Sequence, residues 1–126
     1  MRIMPFLYAV PVLSGCTLFA PSEPPYMVYF QERSTELDAP ARRLIALAAK
    51  RASDQATAPV NVIGYTDSAG SQTADVKLAQ QRAQTVADAL AANGVAANRV
   101  VAEGRGQTGD DPGIASRRVE IIIRGG

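Results

Sequence analysis

Two side chains of opposite charge, Asp67 and Arg82, are the residues of this chain best placed by type and spacing to hold a ligand. Asp67 follows a β-branched run, Val60-Asn61-Val62-Ile63-Gly64-Tyr65, that reads as a short buried strand bounded by Pro59. Arg82 lies on the helix that follows the small-residue loop Ser68-Ala69-Gly70-Ser71-Gln72. Arg82 lies about 10 Å along the helix axis from Asp75, and the stretch from Asp67 to Thr73 reaches roughly 20 Å, so the two charges can meet. Two readings are open: an ion pair that ties loop to helix, or a pair that binds a ligand.

The helix itself is well signalled. Ser71 or Thr73 can cap it, and Asp75 in its first turn complements the helix dipole. Val76, Ala79, Ala83, Val86, Ala87 and Leu90 recur at helical spacing as a core stripe, while Lys77, Gln81, Gln84 and Asp88 point to water. Asp75, Leu78 and Arg82 share a ridge along one border of that stripe, on the side of the loop that carries Asp67. Asn93-Gly94 ends the helix, glycine suiting the left-handed position after the last turn.

Gly64-Tyr65-Thr66-Asp67, Gly70-Ser71, Leu78, Arg82-Ala83 and the later Arg117-Arg118-Val119-Glu120-Ile121 together resemble the peptidoglycan-binding OmpA-like domain. The resemblance implies that Asp67 and Arg82, with Leu78 and Asp75 beside them, hold the diaminopimelate of the cell-wall stem peptide. Its side chain ends in an ammonium and a carboxylate, which suit a carboxylate and a guanidinium fork. This chain departs from the family pattern at Asp75 (usually Asn), Ala79 (usually Ser) and Ser116 (usually Asn). After the first strand, Phe30-Gln31-Glu32-Arg33 stands where the family often has F-x-F-D, so a cation replaces an acid unless Glu32 substitutes.

Composition narrows the function. The 126 residues suit one domain with a real core. Without residues 1–15, which hold Arg2 and no acid, basic and acidic side chains balance at 12 each, which gives nucleic-acid binding no support. No His is present, so His-dependent nucleophile systems and His-ligated metals are excluded; no metal-ligand cluster or cofactor motif stands in the sequence. Gly104 to Gly109 satisfies G-x-G-x-x-G but no helix follows, and these glycines read as turn residues. Asp110-Asp111 beside Pro112-Gly113 lack the opposed placement that glycoside hydrolysis needs and also read as turn formers.

The chain begins with Met1-Arg2 and an apolar run from Ile3 to Leu13, too short to span a bilayer and suited to a secretory h-region. Leu13-Ser14-Gly15-Cys16 looks like the bacterial lipobox, so residues 1–15 are expected to be a signal peptide and Cys16 the acylated residue. Several acyl chains make a stable anchor. Thr17, rather than an Asp, after the cysteine favours the outer membrane. Residues 16–25 then form a Pro-rich linker and residues 26–126 the domain.

Within that domain Tyr26 to Phe30 reads as the first strand. Asp38 caps a helix with Ala41, Leu44, Ile45 and Ala48 inward and Lys50 and Arg51 at its C-terminal end; with Arg42 and Arg43 these cations make a solvated face. Arg99 to Glu103 and Arg118 to Arg124 read as the last strands, Val119, Ile121 and Ile123 sharing a face. The order βαβαββ makes an α+β fold, a two-layer sandwich with both helices on one face of a mixed four-stranded sheet. The resemblance adds that the last strand inserts between the first two. The expected function is an outer-membrane lipoprotein that binds peptidoglycan non-covalently and catalyses nothing. The alternative is a lipoprotein that docks a periplasmic protein partner, in a Tol-Pal-like or secretion-system role.

Overall fold

Four stretches of β-branched and aromatic residues and two of helical periodicity do form the elements that the sequence predicts, with shifted ends. The computed structural model describes residues 23–66, 71–107 and 113–124. In chain order these are strand β1 (Tyr26–Tyr29), helix α1 (Ala39–Ser53), strand β2 (Val60–Thr66), helix α2 (Gln72–Ala92), strand β3 (Val100–Gln107) and strand β4 (Arg118–Ile123). Asp38 caps α1 by accepting from the Ala41 N–H, and Ser71 caps α2 by accepting from Ala74. Gly94, with φ of 101°, closes α2 as expected.

The sheet order is β1-β4-β2-β3, with β4 antiparallel to both neighbours and β3 parallel to β2. This is the predicted α+β sandwich with the last strand inserted. Both helices cover one face, where Val28, Ile45, Val60, Val62, Val86, Leu90, Val119 and Ile121 form the core. Tyr26 pairs with Ile121 and Tyr29 with Arg118, while Ile121 pairs with Val62 and Val119 with Gly64. The chain therefore enters the sheet at the end where β2 begins and reaches the other end as β1 finishes.

Two readings of the sequence need correction. Gly104 and Gly106 are not turn residues; both lie in β3, which runs four residues past the Glu103 end that the sequence suggests. Their period is that of a strand face, hidden because glycine contributes nothing to an apolar count. Gly64 and Gly104 are register partners beneath α2. A Cβ at Gly64 would stand 2.2 Å from the Ala79 carbonyl oxygen, and one at Gly104 2.4 Å from the Gln80 nitrogen. Glycine here is a requirement of close approach. Gln80 then accepts from the Gly104 N–H at 2.8 Å, which covers part of the sheet edge.

Val76 also leaves the core stripe. It is 37% exposed and lies over Gly106, at the rim of the sheet, so its place in the apolar repeat does not bury it. The ridge of Asp75 and Arg82 takes the interior instead, at 2% and 0% exposure.

Gly64→Ala or Gly104→Ala is expected to destabilise the protein by about 1–3 kcal/mol or more, because the new methyl meets helix backbone and not a movable side chain. Gly94→Ala, where nothing lies within 4 Å and only the positive φ is strained, should cost less. Urea melts of the three variants check the order.

Candidate functional site

Arg82 is the largest fully buried side chain among the described residues. Its position on α2, three residues beyond Ala79 where the helix rests on glycine, aims it at the end of the sheet where β1 and β2 finish. Nε donates to the Ser34 carbonyl at 2.8 Å and Nη2 to the Gln31 carbonyl at 3.0 Å. A longer contact of 3.4 Å joins Nη1 to the Tyr65 carbonyl, and the guanidinium lies 5.3 Å from the centre of the Phe30 ring. One cation thus joins helix, the end of β2 and the β1–α1 connection.

The segment it holds is a tight turn. Ser34 N–H donates to the Gln31 carbonyl at 3.0 Å, and the Ser34 hydroxyl accepts from the Glu36 N–H. Arg33 occupies the third position of this turn with φ of 59°, the one non-glycine residue of positive φ among the described residues. From the other side Arg117 donates through Nε to the Phe30 carbonyl at 3.1 Å. Phe30, read from sequence as strand, lies just past β1; its N–H donates to the Arg117 carbonyl and its ring is 1% exposed.

Asp75 stands about two turns earlier on α2. Its carboxylate accepts from Gln107 Nε2 at 2.8 Å, which joins the start of α2 to the end of β3. Thr66, the register partner of Gln107, is fully buried, and its Oγ1 has no hydrogen-bond partner among the described residues. Leu78 is half-buried. Arg82, Asp75 and Leu78 therefore come together on one side of α2. Asp67 and Cys16 lie outside the described residues, as do Asp110 and Asp111.

The opposite face of the sheet carries a charged lattice that sequence reasoning missed. The Arg118 guanidinium sits 4.4 Å from the Tyr65 ring centre and donates to Glu120 at 2.9 Å and to the Ala115 carbonyl at 2.7 Å. Arg105 donates to Glu103 at 3.1 Å and to the Tyr65 hydroxyl at 3.4 Å. The Glu103 hydrogen bond, then the attraction of Tyr65, raises the Arg105 pKa, so its charge is fixed at every working pH. The available signal was strand alternation, which puts Glu103 with Arg105 and Arg118 with Glu120 two residues apart on one face.

Arg99 was also missed. It donates to the carbonyls of Ala52, Gln55 and Ala58, satisfying the C-terminal end of α1 and its following turn. Arg51, read as part of a solvated basic face, bonds and ion-pairs with Glu23, which fastens the segment before β1 to α1. Among the described residues no group of three or more His, Cys, Asp or Glu is placed to hold a metal, and no helix is long and apolar enough to cross a membrane.

Arg82→Lys keeps the charge but cannot span three separate carbonyls. The expected loss is about 1.5–3 kcal/mol, with a fall in Tm on the order of 10 °C. Circular dichroism melts measure it.

Comparison with known proteins fits this geometry. The OmpA family model matches residues 29–120, from the end of β1 into β4. The chain is 42% identical over 71 residues to the probable lipoprotein YiaD of Escherichia coli K12, covering 51% of this chain and 32% of that protein. It is 38% identical over 73 residues to the peptidoglycan-binding protein ArfA of Mycobacterium bovis, covering 52% and 22%. The chain spans about a third or less of the length of the curated relatives it matches. Among solved structures, the peptidoglycan-associated lipoprotein of Burkholderia pseudomallei shares the fold with a TM-score of 0.71 at 24% identity, covering 78% of this chain and 89% of that one. The C-terminal domain of Helicobacter pylori MotB gives 0.67 at 26% identity, covering 79% and 82%.

Proposed function

The chain belongs to the OmpA family, and on that premise we propose that its domain binds peptidoglycan non-covalently and tethers it to the outer membrane through a lipid anchor on Cys16. The observation that carries the reading is the buried Arg82, which joins α2 to the β1–α1 turn and the end of β2 in one site. The ligand is the diaminopimelate of the stem peptide. Asp67 takes its ammonium, the positive charge of Arg82 draws its carboxylate, and Leu78 and the Asp75–Gln107 bond shape the rim. The domain holds this ligand and carries out no reaction.

Asp67→Asn removes the partner of the ammonium and is expected to weaken binding by roughly 2 to 3 kcal/mol. The check is co-sedimentation of the full-length protein in detergent with purified cell-wall sacculi, with melts on the same samples. If the variant melts early yet still sediments with wall below its melting point, Asp67 is a structural staple and the assignment fails. Sedimentation at background for the wild type, with capture of a periplasmic protein, would favour the docking role instead.

The anchor has its own test. Cys16→Ala is expected to leave an unprocessed precursor that carries no lipid. Mass spectrometry of the wild type showing an intact Met1 or an unmodified Cys16 would refute it.

A further inference from the structure

Helix α1 carries four cations, Arg42, Arg43, Lys50 and Arg51, and no acid between Ala39 and Ser53; Asp38 and Asp54 bracket it as caps. Beyond residue 15 the chain holds 12 basic and 12 acidic side chains, so a third of the positive charge of a neutral protein is gathered on one 15-residue helix. At ~100° per residue Arg42, Lys50, Arg43, Leu47 and Arg51 fall within one half of the helix surface. That half is turned away from the buried Ala41, Ile45, Ala48, Ala49 and Ala52. All five side chains are exposed, Leu47 by 60%. Arg51 is paired with Glu23, whereas among the described residues no hydrogen bond or ion pair engages the side chains of Arg42, Arg43 and Lys50.

The place where the chain enters the domain decides what this face meets. Residues 23–27 line a cleft with Leu44 and Arg51, and the Glu23–Arg51 pair fastens them to the C-terminal end of α1. Cys16 precedes Glu23 by seven residues, which span at most about 25 Å; α1 itself is about 22 Å long. A lipid on Cys16 therefore holds the C-terminal end of α1 within about one helix length of the bilayer. At that range the encounter is intramolecular, and attractions too weak to bind a free protein are enough to orient a tethered one. Each Lys or Arg near an anionic membrane surface strengthens attachment about fivefold. The long stems of these residues reach the headgroups, and Leu47 offers an apolar side chain to the boundary beneath them. We propose that the face of α1 formed by Arg42, Arg43, Leu47 and Lys50 docks on the anionic phospholipid headgroups of the membrane that carries the Cys16 anchor. The inference rests on the lipid-anchor reading. Docking lays the helical layer of the sandwich on the membrane and turns the open face of the sheet away from it.

The test uses the full-length lipidated protein in vesicles of phosphatidylcholine, alone or with about a third phosphatidylglycerol. Cys16 is the one cysteine of the chain and carries the lipid, so Leu47→Cys or Val101→Cys supplies a unique thiol for a fluorophore. Val101, 56% exposed on the open face of the sheet, is the control. Quenching by headgroup-labelled nitroxide lipid should be about threefold stronger for the Leu47 probe in the anionic vesicles than in the neutral ones, and the difference should shrink with added salt. The Val101 probe should be quenched equally weakly in both. Replacing Arg42→Gln, Arg43→Gln and Lys50→Gln together should abolish the difference and leave the melting temperature unchanged, since these side chains hold nothing else in the fold. Equal quenching of the Leu47 probe in the two vesicles, equal quenching of the two probes, or a difference that survives the triple replacement overturns the docking face and leaves the anchor standing. Shielding of the Leu47 probe by purified sacculi and not by anionic vesicles would make wall the occupant and overturn it too. Flotation with neutral vesicles is read on the same samples: protein that fails to float has no anchor, and the anchor and this inference then fall together.

Discussion

A guanidinium with no access to water must find its hydrogen bonds in the protein, and at Arg82 that single requirement fixes the geometry of one end of the domain. Desolvating the charge is unfavourable on its own. The carbonyls of Gln31, Ser34 and Tyr65 and the face of Phe30 offset it, and they come from the β1–α1 connection and the end of β2. The connection between β1 and α1 owes its shape to a residue that lies 48 positions away in sequence, counted to Ser34. The same device recurs at Arg99, whose carbonyl partners close the far end of α1, and at Arg117.

Arg82 can do this only because α2 sits where it does. The paired glycines of β2 and β3 let the helix backbone come into contact with the sheet at Ala79, which sets the helix height and its axial register. Arg82 follows by three residues and Asp75 precedes by four, about 5 and 6 Å along the axis. Both land at buried positions on the same side, one under the turn and the other against Gln107. Packing at the centre of the sandwich thus determines where charge is placed at its edge.

The order of elements, the sheet type and both helix caps were legible in the sequence because each rests on a local signal: alternation along Val119, Ile121 and Ile123, helical spacing along α1 and α2, a cap at Asp38 and at Ser71. The family resemblance supplied the inserted fourth strand. Arg82 and Asp75 stood out in the sequence by pattern, but their burial did not, since a charged side chain three residues from an apolar stripe reads as its border. Its burial depends on carbonyls contributed from elsewhere in the chain. Gly104 and Gly106 were misread because a glycine in a strand and a glycine in a turn look alike until the helix above is known. Arg99 gave no signal at all, for its partners are main-chain oxygens that every residue possesses.

The segment before β1 is fastened by Glu23 to Arg51 at one pole of the sheet, and the turn held by Arg82 lies at the other. A pull applied between residue 23 and anything gripped at that turn runs along the strands. Strand β1 is itself the covalent path between those two points, and its rungs to β4, from Tyr26 with Ile121 to Tyr29 with Arg118, hold that path against the sheet. The Glu23–Arg51 contact adds a second attachment, on α1, ahead of this four-residue strand.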